Sequence, residues 1–364
     1  MGRRSAVLAS FLATAILGAL VWRFGPALSL SLALALPGSE SWTAAFREAP
    51  AREEVTVAAE SGPLEADLYR PARPGGALLL VHGLSRAGRR QPDLARLAAL
   101  LAGHRLLVVV PEFAGLAAFQ LSGREVADVR AALRYTAGLS ASVGVAGFSF
   151  GAGPALLAAA DFPGLRLVGS FGGYADLADV IAFVTTGVHA FGGQRYTERQ
   201  EEYNRWKLLA LLSGFVEAHR DRGLLAEIGR RKLAYPGDDT RQIEQALGPA
   251  GRAVLALVVN RREEAVAGLL GQLPPGARAA LGRLSPLEAV PRIRATLLIA
   301  HGTADDSIPF TESLRLAAVG GARAHLALFR GFHHTGPQPF WPSVADHVGD
   351  AWTLIRVADE LLPR

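Results

Sequence analysis

The chain has 364 residues, half of them hydrophobic and a fifth charged, which supplies a full globular core and excludes a disordered chain. Its formal net charge of +5 comes almost wholly from arginines scattered singly or in pairs, with Lys207 and Lys232 the only lysines; that scatter reads as a solvated surface and not as the basic stripe of a nucleic-acid binder. No cysteine occurs, so disulfides, thiolate metal sites and a cysteine nucleophile are excluded.

Ser5 to Trp22 is an 18-residue run without a charge, preceded by Arg3 and Arg4 and closed by Arg23. As a helix it would span about 27 Å, close to the hydrocarbon thickness of a bilayer, so residues 1–38 read as a membrane anchor or signal segment. Gly25-Pro26 is expected to break this helix, and the second apolar run, Ala27 to Leu36, is too short to span alone. Three readings stay open, in this order: an uncleaved anchor that places the rest outside the cytoplasm, a cleaved signal peptide, and a two-legged membrane hairpin that keeps the rest inside.

After a polar linker around Ser39 to Arg52, Glu54 to Glu60 and Leu64 to Arg70 read as a β-hairpin turning at Ser61-Gly62-Pro63. Ala77 to Val81, Leu106 to Val110, Val143 to Ala146, Leu165 to Ser170 and Thr296 to Ala300 are short apolar runs, as strands covered on both faces should be. Asp93 to Ala102, Gly123 to Thr136 and Gly151 to Ala160 carry apolar residues at helical spacing between them. This alternation predicts an α/β fold, doubly wound around a mostly parallel sheet.

The alternation stops near Asp176 and resumes near Ile293. Residues 177–290 instead predict helices at Glu198 to His219, Leu224 to Leu233, Asp239 to Leu247 and Glu263 to Leu273. An insertion between two core strands is expected to be a helical cap over the carboxyl edge of the sheet, leaving 39–176 and 291–364 as the core. Its Phe183, Phe191, Tyr196, Tyr203 and Trp206 are either an apolar acyl pocket or the insertion's own small core.

Gly147-Phe148-Ser149-Phe150-Gly151 ends one apolar run and opens a small-residue helix. A serine hydroxyl can attack a carbonyl only from a sharp, exposed strand-to-helix turn, which leaves no room for side chains two residues to either side. Three more segments fall where such a serine needs partners. Asp305 follows the strand Thr296 to Ala300 and can hold an imidazole in the tautomer that accepts the serine proton. His334 ends Arg330-Gly331-Phe332-His333-His334, 29 residues beyond Asp305. The neighbouring residues Asp306 and His333 are alternatives for acid and base. His82-Gly83-Leu84 ends the strand Ala77 to Val81, so the backbone N–H groups of Leu84 and Phe150 are the expected oxyanion donors. His82 reads as structural. Adjacent histidines point apart on extended backbone, so His333 and His334 are not expected to hold a metal, and neither a metal nor a cofactor is predicted.

The segments LLLVHG, GFSFG, LLIAHGTADDSIP and FRGFHH together resemble the α/β-hydrolase superfamily, and LYRP, LSP and GTADDSIP resemble its bacterial dienelactone-hydrolase-like and acyl-esterase-like branch. The resemblance implies nucleophile Ser149, acid Asp305 and base His334, in the Ser, Asp, His order of that fold. It implies a serine hydrolase, esterase-like and acting on a carboxylic ester or related acyl bond, without fixing the substrate, since esterases, lipases, thioesterases, amidases and peptidases share these motifs. The aromatic residues of the cap suggest a small-molecule, apolar acyl substrate, and the N-terminal run with its arginines suggests an enzyme held at a membrane with its hydrolase domain outside the cytoplasm. The rival is a catalytically inactive relative that binds an apolar ligand under the cap.

Overall fold

The computed structural model describes residues 18, 21–36, 38–330, 332–333, 336–337 and 344–363, without the side chains of 332, 333, 336, 337 and 344–348. A first helix, α1, runs through residues 21–35. The hairpin β1 (Ala51–Val57) and β2 (Leu64–Arg70) leads into β3 (Gly76–Val81), α2 (Pro92–Gly103), β4 (Leu106–Pro111), the single turn α3 (Ala114–Ala117) and α4 (Gly123–Leu139). Then follow β5 (Val143–Phe148), α5 (Ala152–Ala160) and β6 (Leu165–Phe171).

The insertion holds α6 (Leu177–Thr186), a hairpin of β7 (Val188–Phe191) and β8 (Gln194–Thr197), α7 (Glu202–Ser213), α8 (His219–Ala234), α9 (Arg241–Gln245), α10 (Pro249–Val259), α11 (Glu263–Gln272) and α12 (Pro275–Leu284). β9 (Thr296–Gly302), α13 (Thr311–Gly320), β10 (Ala324–Phe329), the short pair β11 (Phe332–His333) and β12 (Gly336–Pro337), and α14 (Val344–Leu361) complete it.

Eight strands form one sheet in the order β1-β2-β4-β3-β5-β6-β9-β10. β2 pairs antiparallel with β1 and β4, while every pairing from β4 to β10 is parallel. This order and these directions are those of the α/β-hydrolase fold. Because side chains alternate across a strand, β3 sends Ala77, Leu79 and Val81 into one apolar cluster and Leu78 and Leu80 into another. The first cluster also takes α4, α5 and the insertion helices; the second takes α1, α2 and α14. The strands are therefore apolar on both faces, which is why their runs are unbroken in the sequence.

Several expectations are corrected. The helix does not break at Gly25-Pro26: α1 passes through both. Proline there forfeits a single backbone bond, toward Trp22. Gly25 lets the Phe46 ring pack against the backbone, since a Cβ would stand 2.3 Å from Phe46 Cε1. Ser39–Phe46 is thus a 3-10 segment folded back on α1 and not a linker. Residues 27–36 are not a membrane leg. Ala27, Leu30 and Ala33 are buried among Leu94, Ala98 and Leu101, and Ser29 Oγ lies 3.0 Å from His104 Nε2.

Of the expected helix Glu198 to His219 only α7, Glu202–Ser213, is helical: the chain leaves the helix at Gly214, and α8 begins at His219 and takes in the expected Leu224 to Leu233. The β7–β8 hairpin, turning at Gly192 and Gly193 with positive φ, went unpredicted because its four-residue strands are too short for a period to register. Among the described residues no helix is long and apolar enough to cross a membrane; most of Ser5 to Trp22 lies outside them.

This packing makes a stability prediction. Leu30 is fully buried, so Leu30→Ala should cost about 2 to 5 kcal/mol in urea unfolding. A chain starting at residue 20 should fold, whereas one starting at residue 38, which strips α1 from the core, should show a large fall in Tm or aggregate.

Candidate active site

At the end of β5 the chain must reverse into α5 within three residues. Ser149 takes φ +50° to do so, a left-handed conformation that a side-chain-bearing residue adopts only at a cost. The flanking glycines have a steric cause. A Cβ on Gly147 would stand 2.5 Å from Ala152 Cα, and one on Gly151 would stand 2.2 Å from the His82 carbonyl oxygen. The turn is therefore pressed against the end of β3, and a Cβ on Gly83 would lie 2.9 Å from Ser149 Cβ.

Buried His82 holds that neighbouring loop. Its Nε2 accepts from the Phe113 N–H at 3.0 Å, so Nδ1 carries the hydrogen and donates to the Gly83 carbonyl at 2.8 Å. Burial lowers its pKa, so the ring stays neutral. Glu112 closes the other side, with Oε2 accepting from the Arg89 N–H at 3.0 Å. Leu84 lies between these anchors. It lines a cavity of about 390 Å³ with Ser85, Phe119, Tyr203 and Leu233. Phe119, buried there, has φ +60°. Phe150 is buried, its ring 5.7 Å from that of Tyr174.

Asp305 is buried at the end of β9. Its Oδ1 accepts from the N–H groups of Ser307 at 2.8 Å and Ile308 at 3.0 Å, and Oδ2 lies 3.4 Å from His301 Nε2. The carboxylate is thus oriented within its own loop and does not cap α13. His301 Nε2 donates to the Ile308 carbonyl at 3.0 Å, and Nδ1 lies 2.7 Å from Ser313 Oγ.

Ser149 and Asp305 line one cavity of about 270 Å³, with Phe148, Phe171, Gly172 and His301 on its wall. Asp306 is not on that wall. Its carbonyl accepts from Asn204 Nδ2 at 3.0 Å, and Asn204 Oδ1 accepts from Ser307 Oγ at 2.9 Å, which ties α7 to this loop. Burial lowers the pKa of Lys207 on the same helix, against the pull of Asp305 and Asp306. The His333 backbone pairs with Gly336 in the β11–β12 ladder. His334 lies outside the described residues.

Of the insertion's aromatic residues, Phe183 and Trp206 are core, Phe183 and Tyr196 surround His189 with Phe310, and Tyr203 alone of the five lines the cavity beside Leu84. Burial beside His301 lowers the His189 pKa to about 4. Among the described residues no group of three metal-ligating side chains lies together.

The sequence reading passed over Glu112, Phe119, His301 and Glu312. One signal was present: His301-Gly302 repeats the strand-end His82-Gly83 pattern. Glu312 gave none. It is fully buried at the start of α13, where Oε2 accepts from the N–H groups of Ala175 at 2.9 Å and Asp176 at 2.8 Å, fixing the chain after β6.

Burial pushes the Glu312 carboxyl up to about 7 from an ordinary 4.5. The folded state then binds this proton more tightly than the unfolded state does. Its contribution to stability is full below the ordinary value and is lost as pH rises toward 7. Urea unfolding of wild type should accordingly weaken relative to Glu312→Gln between pH 4.5 and 7, and the Gln variant should lack this component of the slope.

No protein-family model matches the chain, and no curated protein does. Among solved structures, the chain is similar to an α/β-hydrolase, GrgF, from a Penicillium species, at 14% identity over 84% of this chain and 98% of that one, with TM-score 0.49. It is similar also to the esterase domain of a Rhodothermus marinus protein, at 16% identity over 84% and 98% with TM-score 0.45. A third similar structure is a dienelactone hydrolase from Anabaena variabilis, at 14% identity over 84% and 97% with TM-score 0.44.

Proposed function

We propose that this protein is a serine hydrolase that cleaves a carboxylic ester or related acyl bond. The observation that carries the reading is Ser149 at φ +50° on a strand-to-helix turn, with the Gly83-Leu84 loop against it and buried Asp305 on the wall of its cavity. In the proposed reaction Ser149 Oγ attacks the acyl carbon while His334 takes the hydroxyl proton. The carbonyl electron pair moves onto oxygen, opposite the N–H groups of Leu84 and Phe150. The bond to the leaving group then breaks, and His334 returns the proton to it. Water attacks the acyl-serine by the same route and frees the acid. Asp305 orients His334 and offsets its positive charge. No step needs a metal or cofactor.

The apolar side chains of Phe148, Phe171, Phe329 and Leu354 on the wall of the Ser149 cavity support an apolar acyl group as substrate. The tie between α7 and the Asp305 loop supports the insertion as a cap on the site. We propose further that Ser5 to Trp22, uncharged behind Arg3 and Arg4, tethers the hydrolase to a membrane with its site outside the cytoplasm.

A fluorophosphonate probe should label wild type at Ser149 and leave Ser149→Ala unlabelled. Ester turnover of Ser149→Ala should fall by orders of magnitude, up to about a millionfold, with Tm nearly unchanged. Failure of wild type to react would instead indicate a ligand-binding protein.

The doubled residues give a second check. His334→Ala and Asp305→Asn should each lose orders of magnitude in kcat, whereas His333→Ala and Asp306→Asn should lose far less. Reversed phenotypes within a pair would transfer the role to the neighbour.

A further inference from the structure

α1 is uncharged from Phe24 to its end, and only half of it is used by the fold. One face, through Ala27, Leu30 and Ala33, is buried against α2 and the sheet. The opposite face carries Val21, Phe24, Leu28, Leu32 and Ala35, at the three- and four-residue spacing of one helical stripe. Val21, Phe24, Leu28 and Ala35 are exposed, Leu28 to 45%. Two tryptophans nearby are exposed: Trp22 of α1 to 85%, and Trp42, in the 3-10 segment that folds back along α1 through Phe46 and Gly25, to 75%.

α1 carries one charge, Arg23 near its start, which pairs with Asp359 of α14, and beyond it an apolar outer face on such a helix is stable only when protein or lipid covers it. What precedes this one in the chain decides which. Ser5 to Val21 continues into α1 without a charge, and such a run is soluble in acyl chains and not in water. Tryptophan is also the side chain most favoured where headgroups meet acyl chains.

We propose that the outer face of α1, with Trp22 and Trp42, lies in the headgroup–acyl boundary of a lipid bilayer, so that the folded domain rests on the membrane surface. α1 then works as a two-sided shim. Its inner face belongs to the protein core and its outer face to the lipid. The opposite face of the sheet, with the insertion helices, points away from the bilayer.

The absence of cysteine makes the test direct, because one introduced thiol takes one label. Full-length Leu28→Cys, Trp42→Cys and Tyr235→Cys chains would each carry an NBD fluorophore and be reconstituted with phosphatidylcholine–phosphatidylglycerol vesicles containing doxyl-labelled acyl chains. Tyr235, exposed after α8, is the control. The labels at 28 and 42 should shift to the blue and be quenched by the doxyl lipid at least threefold more than the label at 235. Equal, weak quenching at all three positions would overturn the proposal. So would a blue-shifted label at 28 that doxyl lipid leaves unquenched, since its neighbour would then be protein, such as a second copy of the chain. A full-length chain that fails to float with vesicles would overturn this proposal and the membrane tether together. The proposed reaction would be untouched, because fluorophosphonate labelling tests it separately.

Discussion

The structure around Ser149 depends on one close approach, that of the turn between β5 and α5 to the end of β3. Backbone meets backbone at Gly151 and His82 with no space for a Cβ, and Gly83 sits against Ser149 in the same way. This contact sets both the exposure of the serine and the position of the Leu84 loop beside it. A positive φ at Ser149 is the cost, of order 1 to 3 kcal/mol, and it persists because the strands on either side leave the turn no alternative path.

Four polar groups near the turn, all buried except the partly exposed Glu112, lock its surroundings. His82 and Glu112 secure the loop after β3, Asp305 accepts two N–H groups of its own loop, and Glu312 accepts two from the chain after β6. His82, Asp305 and Glu312 would be expensive to bury unpaired, and each of the four is held mainly by backbone that borders the site. Loops held in this way suit the proposed chemistry, which needs donors and acid to be in place before the substrate arrives. α7 joins the arrangement through Asn204, so a movement of the insertion would be felt at the Asp305 loop.

α1 shows how one segment can serve two environments. Its apolar character reads in sequence as a membrane signal, and half of that character is spent on the core. The remainder faces outward, and in the sequence it follows an uncharged run and Arg23. The proposed resting of the domain on lipid follows from this division. It also explains why removing the whole apolar N-terminus would be a change to the fold and not only to the tether.

The strand–helix alternation, the elbow glycines and the placing of Asp305 after a strand were legible in the sequence, because burial on both faces, a tight turn and a strand-end loop each leave a local mark. Strand ends moved by three residues at most, and β2 kept its bounds. That Asp305 and not Asp306 lines the cavity with Ser149 was not legible, since adjacent residues share a sequence context and differ only in where the folded loop aims them. Glu112, Phe119 and Glu312 were invisible for the same reason: their partners lie on other elements, brought near only by the sheet order. Composition established that the N-terminal residues are mostly apolar; which face of α1 belongs to the core was decided by packing against α2, because beyond Arg23 the helix has no charged side from which to read its orientation, and its serines Ser29 and Ser31 are themselves buried.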